Sequence, residues 1–195
     1  MDLVLFSGGV DSLVLAAEAI AEHRLGLLLH IVYPHPAQSY ERRAVAAATL
    51  SWHKLGVSAP LMEAHLPLAA EALAAGVGAE GCRVVPGRNL AFIALAVNLA
   101  ASRGLRRVLL GATAADRAGY PDCRPDFIAS ASALSAPWGI EVAAPLIDCD
   151  RGAVLRRGAA AGAPLGTAWS CYQPDGGVPC GRCGSCTQAA PAVTR

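Results

Sequence analysis

The chain has 195 residues, a net charge of +1 from 16 basic and 15 acidic residues, and a hydrophobic fraction of 54%. That length suits one domain with a sizeable core, and the basic residues are scattered, so no electropositive stripe offers itself to a nucleic-acid backbone. The longest apolar run, Leu90 to Ala101, is interrupted by Asn98 and too short to cross a bilayer, and Met1-Asp2-Leu3-Val4 enters a strand-like segment without the features of a secretory leader.

A single domain over residues 1–195 is therefore expected, cytoplasmic, with small-molecule substrates, no membrane and no direct nucleic-acid partner. In chain order, Leu3 to Phe6 is a short apolar run ending in a Ser-Gly-Gly turn, and Ser12 to His23 has apolar residues at helical spacing. Leu25 to Val32 reads as a buried strand, Tyr40 to Leu55 as a helix and Ala59 to His65 as a strand. After a Gly-rich bend from Gly76 to Gly81, Leu90 to Arg103 reads as a helix, Arg107 to Leu110 as a strand and Pro125 to Leu134 as a helix. Gly139 to Ala144 follows as a strand and Arg151 to Ala161 as a last helix. Apolar strands alternating with helices predict an α/β fold: a doubly wound, Rossmann-like parallel sheet with helices on both faces. Ligands in such sheets sit beyond the carboxyl ends of the strands, here where the segments after Phe6, Val32 and Leu110 converge.

Ser7-Gly8-Gly9-Val10-Asp11-Ser12 lies between the first strand and the first helix. Its glycines let backbone N–H groups approach an anion held at the helix N-terminus. The Gly-Lys-Ser/Thr ending of a Walker loop is absent, so no lysine reaches terminal phosphates. The segment resembles the Ser-Gly-Gly-x-Asp-Ser signature of the N-type ATP pyrophosphatases (PP-loop enzymes), which implies adenylate formation with release of pyrophosphate.

Seven cysteines would leave one unpaired in a disulfide framework, and four of them crowd the C-terminal region. Cys171, Cys180, Cys183 and Cys186 offer four sulfurs to one ion, with Pro179, Gly181 and Gly184 letting the chain fold round it. Tetrahedral Zn2+ suits such a set, and a closed site of this kind staples residues 169–188 rather than performing chemistry. An iron–sulfur cluster is the rival occupant. Cys82, Cys123 and Cys149 are isolated in sequence and are read as small core residues.

Between these ends lie Val85-Pro86-Gly87-Arg88-Asn89, Gly119-Tyr120-Pro121-Asp122-Cys123-Arg124 and Ser170-Cys171-Tyr172. With the phosphate loop and the cysteine spacing, these strings resemble the 7-cyano-7-deazaguanine synthase family of queuosine biosynthesis nearly end to end. The resemblance implies that ATP adenylates 7-carboxy-7-deazaguanine, ammonia displaces AMP to give an amide, and a second activation yields the nitrile. It implies a homodimer using ATP, Mg2+ and Zn2+. Ser7, Asp11, Ser12 and Arg151 are then the candidate catalytic residues. Phe6, Ser7, Gly8, Gly9, Val10, Asp11, Ser12, Arg88 and Asn89 are assigned to the nucleotide, and Asp116, Tyr120, Asp122 and Arg124 to the substrate.

Two departures bear on this reading. Where the family has Asp-Tyr-Gly-Gln-Arg-His and a glutamate, this chain has Val32-Tyr33-Pro34-His35-Pro36-Ala37-Gln38-Ser39-Tyr40-Glu41, in which His35 is expected as an exposed loop histidine. Arg151 stands where the family places a lysine, keeping the charge but not the ability to give up a proton. They motivate an alternative in which the enzyme stops at the amide or passes the activated deazaguanine to another amine, such as a partner protein.

Overall fold

The computed structural model describes residues 1–68 and 85–189. The expected bend at residues 76–81, and Cys82, lie outside the described residues. Five parallel strands form one sheet: β1 (Asp2–Leu5), β2 (Leu25–Val32), β3 (Leu61–His65), β4 (Arg107–Leu109) and β5 (Glu141–Ala143), in the order β3-β2-β1-β4-β5. The order reverses between β1 and β4, which pair from Asp2↔Arg107 to Val4↔Leu109. That reversal opens a crevice above the end of β1, the place where doubly wound sheets bind their ligands.

Alternation along the central strands sends side chains to both faces. Leu3, Leu5, Leu27, Leu29 and Ile31 pack under α3 (Arg88–Ser102) and α5 (Pro125–Ser135), meeting Ile93, Ala96 and Ile128. Val4 and Leu28 face the other way and meet α1 (Val10–Ala21), α2 (Gln38–Lys54) and α6 (Arg151–Ala160) through Leu13, Val14, Val45, Trp52 and Val154. Both faces are covered, which explains why β1 and most of β2 read as unbroken apolar runs. β3 is an edge strand, and its alternating exposed positions follow from that.

At the opposite end of the sheet, Asp2 is buried and held by Arg24 and by Arg107, whose Nε and Nη2 lie 2.9 and 2.7 Å from its two carboxylate oxygens. A carboxylate so placed costs too much to bury alone, and the paired guanidinium groups offset that cost.

The elements match the expected ones in kind and order, but α1, α2 and α3 each begin two residues earlier than their apolar periodicity suggests. Their first turns open with Val10-Asp11, Gln38-Ser39 and Arg88-Asn89, mostly polar residues that do not extend the apolar period of each helix. Two short helices escape the sequence reading, α4 (Asp116–Gly119) and α7 (Gly184–Ala189), because neither has an apolar face long enough to show a period.

Gly158 marks the contact of α6 with α1. A side-chain carbon there would lie 2.7 Å from Val14 Cγ2 and 3.2 Å from Leu165 Cδ2. Glycine to alanine within a helix normally gains about 1 kcal/mol. Here overpacking outweighs that gain, and Gly158→Ala is expected to lose about 1 kcal/mol in urea denaturation. A stabilised variant would show that the two helices have slack between them.

Candidate active site

The cavity sits over the carboxyl ends of β1, β2 and β4. Its floor is the segment after β1. Phe6 is fixed from both sides, its amide donating to Leu29 O at 2.8 Å and its carbonyl lying 3.0 Å from His30 Nδ1. Beyond it, Gly9 donates its amide to Ser7 Oγ at 3.2 Å, and Ser12 Oγ donates to Gly9 O at 3.0 Å. Gly9 is the N-cap of α1 but has no side chain to cap it, so the first amides of the helix face the cavity without a side-chain partner from the cap.

Space around this loop is tight. Gly8 has φ +82°, and a side-chain carbon there would lie 3.0 Å from Ala44 Cβ and 3.1 Å from Glu41 O. Gly111, just past β4, would place its carbon 3.0 Å from the Ser12 amide and 3.2 Å from Asp11 C. The loop therefore touches α2 on one side and the end of β4 on the other.

Asp11 and Arg151 meet above the loop, with Nη1 2.8 Å from Oδ1. Burial raises the Asp11 carboxyl, Arg151 opposes the rise and the nearby Asp116 carboxylate adds to it, leaving a pKa of about 6. Asp116 Oδ2 is held by the amide and hydroxyl of Thr113 at 2.8 and 2.7 Å. Asp11 and Asp116 both line the cavity. Hard carboxylate oxygens of this kind suit Mg2+, which prefers one or two carboxylates together with substrate phosphates.

The far wall is aromatic and carries one cation. Arg88 Nη1 donates to Tyr33 Oη at 3.3 Å, while its buried Nε has no hydrogen-bond partner among the described residues. Phe92, Tyr120, Cys123 and Tyr172 complete that side. Cys123 is a thiol and no nucleophile: burial first, then the Asp116 and Asp122 carboxylates, push its pKa up to about 12.

The remaining predicted residues do not all face the cavity. Asn89 lines the cavity, but its amide donates to Asp122 Oδ2 at 3.1 Å and its side chain to Asp122 O at 3.2 Å. Asp122 thus caps the start of α3 and is not among the cavity's lining residues. Arg124 is exposed and donates to Arg117 O at 3.2 Å, also outside the lining. Val10 packs against the core beneath the loop. His35, expected on the surface, is instead enclosed: its side chain is 8% exposed, stacked on Tyr33 and 3.3 Å from Glu41 Oε2. The aromatic neighbour two residues earlier covers the ring, something a loop assignment cannot reveal.

Gly111, Phe92 and Ser185 line the cavity without having been singled out. A glycine directly after a β-strand at the switch point was a usable signal for the first. Nothing local marks the other two.

The C-terminal segment closes the site. Trp169 donates its amide to Gly8 O at 3.0 Å, stacks on Tyr40 with centroids 4.6 Å apart, and donates its indole N–H to Cys171 O at 2.9 Å. The sulfurs of Cys171, Cys180, Cys183 and Cys186 all lie within 4.8 Å of one another and could hold a metal ion. Zinc–sulfur bonds of about 2.3 Å in a tetrahedron put the sulfurs roughly 3.8 Å apart, and Cys180 and Cys186 are 3.9 Å apart. A four-iron cluster puts each thiolate on a different iron and spreads them more widely. The fit is to a single ion.

A doubly wound parallel sheet with a glycine loop at its switch point is an α/β fold of the PP-loop type. The NMN synthetase of Francisella tularensis is similar in fold, with TM-score 0.57 at 16% identity over 94% of this chain and 69% of that one. The U34-tRNA thiolase NcsA from Methanococcus maripaludis, solved with its [4Fe-4S] cluster, has TM-score 0.55 at 14% identity over 92% of this chain and 61% of that one. Sequence narrows the class further. Residues 1–194 match the family described as queuosine biosynthesis protein QueC. The 7-cyano-7-deazaguanine synthase of Synechococcus elongatus is 38% identical over 94% of this chain and 86% of its own length. That of Parasynechococcus marenigrum is 34% identical over 94% and 88%. The chain belongs to the QueC family.

The Asp11 environment has a thermodynamic signature. Its folded pKa of about 6 lies above the ordinary 3.8, so the folded protein binds the extra proton and stability falls as pH rises from about 4 through 6. Asp11→Asn removes this dependence. The stability of the native chain relative to that variant is expected to drop by up to about 3 kcal/mol between pH 4 and pH 7, read by urea denaturation at each pH. A constant difference would mean that Asp11 titrates normally.

Proposed function

We propose that the chain is a 7-cyano-7-deazaguanine synthase, converting 7-carboxy-7-deazaguanine and ammonia to the nitrile at the expense of ATP. The observation that carries this reading is the pairing, across one cavity, of a phosphate loop with an aromatic wall holding Arg88, in a chain that belongs to the QueC family over residues 1–194.

The amides of the Ser7–Ser12 loop bind the phosphates of ATP, and Ser7 and Ser12 orient the loop through their mutual contact of 3.2 Å. Asp11 and Asp116 are the residues that would hold Mg2+, which when bound neutralises charge on the departing pyrophosphate. Arg151, clamped on Asp11, adds a fixed positive charge beside the same phosphates. It cannot move a proton, so its part is electrostatic. Arg88 offers its unpartnered Nε–H to an anionic group of the ligand, the substrate carboxylate in this reading, while Tyr33, Phe92 and Tyr120 enclose the flat deazaguanine ring. Asn89 and Asp122 serve by fixing the start of α3, and with it Arg88. Among the described residues, Arg124 makes no contact that supports a binding role.

Zn2+ is the ion proposed for the four cysteines, and when bound it staples the segment that carries Trp169 and Tyr172. Assembly as a homodimer and a cytoplasmic location belong to the same proposal and rest on the family likeness.

Incubation of the protein with ATP, Mg2+, ammonium and 7-carboxy-7-deazaguanine is expected to yield the nitrile, AMP and pyrophosphate by mass spectrometry. Accumulation of the amide, or of an adenylate that ammonium does not discharge, would refute the synthase reading. Cys183→Ser is expected to lose the metal and, by releasing Trp169 from Gly8, to weaken ATP binding by about tenfold, or ~1.4 kcal/mol. Unchanged ATP affinity in the metal-free variant would confine the cysteines to local stapling.

A further inference from the structure

Between the phosphate loop and Arg88, the cavity wall carries a carboxylate that adenylation leaves unused, Glu41, with the imidazole of His35 packed behind it. Glu41 stands in the first turn of α2 and lines the cavity, and its backbone carbonyl lies against Gly8. Its carboxylate is 3.3 Å from His35 Nε2, and the two side chains are 16% and 8% exposed. His35 is stacked on Tyr33 with ring centroids 4.3 Å apart, and Tyr33 is tied to Arg88. The imidazole is thus fixed directly behind the wall, against Tyr33 and Glu41.

The described lining contains three carboxylates, Asp11, Glu41 and Asp116. Asp11 is engaged by Arg151, and Asp116 by the amide and hydroxyl of Thr113. Glu41 is paired instead with a group that can itself take up and release a proton.

Amide formation needs such a pair. At neutral pH the nitrogen arrives almost entirely as ammonium, which has no lone pair with which to attack. The balanced step is acyl adenylate plus ammonium giving amide, AMP and two protons. Resting on the synthase reading above, we propose that Glu41 and His35 form the ammonium-binding and proton-accepting station of this reaction. Glu41 draws the small cation into a wall otherwise lined by Arg88 and Arg151, accepts one proton from it and passes that proton to His35. The freed lone pair forms the C–N bond, while the bond from the acyl carbon to the adenylyl oxygen breaks and its electrons leave with AMP. The second proton becomes acidic once nitrogen is bonded to carbon. It follows the same path after His35 has released the first to water.

A pair that merely tied α2 to the loop after β2 would have the same geometry, so the test must separate the two roles. Glu41→Gln keeps the shape and a polar group facing His35 but cannot accept a proton. In the full chain, ATP–pyrophosphate exchange with 7-carboxy-7-deazaguanine reports adenylate formation. A chase of the preformed adenylate with ammonium, or with hydroxylamine, which is unprotonated at neutral pH, reports the second half. Discharge by ammonium is expected to slow by about 100-fold or more in Glu41→Gln, with discharge by hydroxylamine slowed by no more than about fivefold. His35→Asn is expected to show the same selectivity with a smaller loss. Equal slowing of both nucleophiles, or slowing of neither, would overturn the inference while leaving the synthase reading intact. Absence of exchange in the unsubstituted protein would overturn that reading and this inference with it.

Discussion

Close packing around the loop between β1 and α1 is the constraint on which the rest of the site depends. Gly8 leaves no space against Ala44 and Glu41, and Gly111 leaves little against Asp11 and Ser12. The backbone of residues 7–12 is therefore set by three separate parts of the chain: the start of α2, the exit from β4 and the segment that Trp169 brings alongside Gly8. A loop whose amides must grip phosphates gains from this, because donors already aimed at an anion need not be reorganised when it arrives. The missing side-chain cap on α1 follows the same logic, since a capping hydroxyl would compete with the ligand for those amides.

Charge is distributed along the cavity in a consistent order. The loop end pairs one arginine with two carboxylates, the opposite wall holds Arg88 among tyrosines, and Glu41 with His35 lies between. Among the described residues, the buried Nε groups of Arg88 and Arg151 have no hydrogen-bond partner. Unmet donors on buried guanidinium groups are costly in an empty site, and a bound anion relieves that cost. The energetic asymmetry thus favours a phosphate-bearing or carboxylate ligand over a neutral one.

Much of this was legible before any coordinates. Hydrophobic periodicity gave the right sequence of strands and helices because nearly every element has at least one buried face, and the glycine loop announced itself by its position between β1 and α1. Cysteine spacing was equally plain, since four thiolates within sixteen residues have few other uses. What escaped were relations between distant residues. That Asp122 serves α3 rather than the cavity depends on the fold of the one-turn helix at Pro121–Cys123. The enclosure of His35 depends on the ring of Tyr33, and the role of Gly111 on an approach of backbone to backbone that no local pattern records.

The contact between Trp169 and Gly8 also orders events in time. During synthesis the phosphate loop leaves the ribosome some 160 residues ahead of the cysteines that follow Trp169. Long-range contacts of this kind form late in folding. A nascent chain carries the loop sequence well before it carries a wall to close it, so a partly made protein has no finished nucleotide site. A metal ion held by the four cysteines would then join its own arrival to the appearance of a competent loop some 160 residues earlier in the chain.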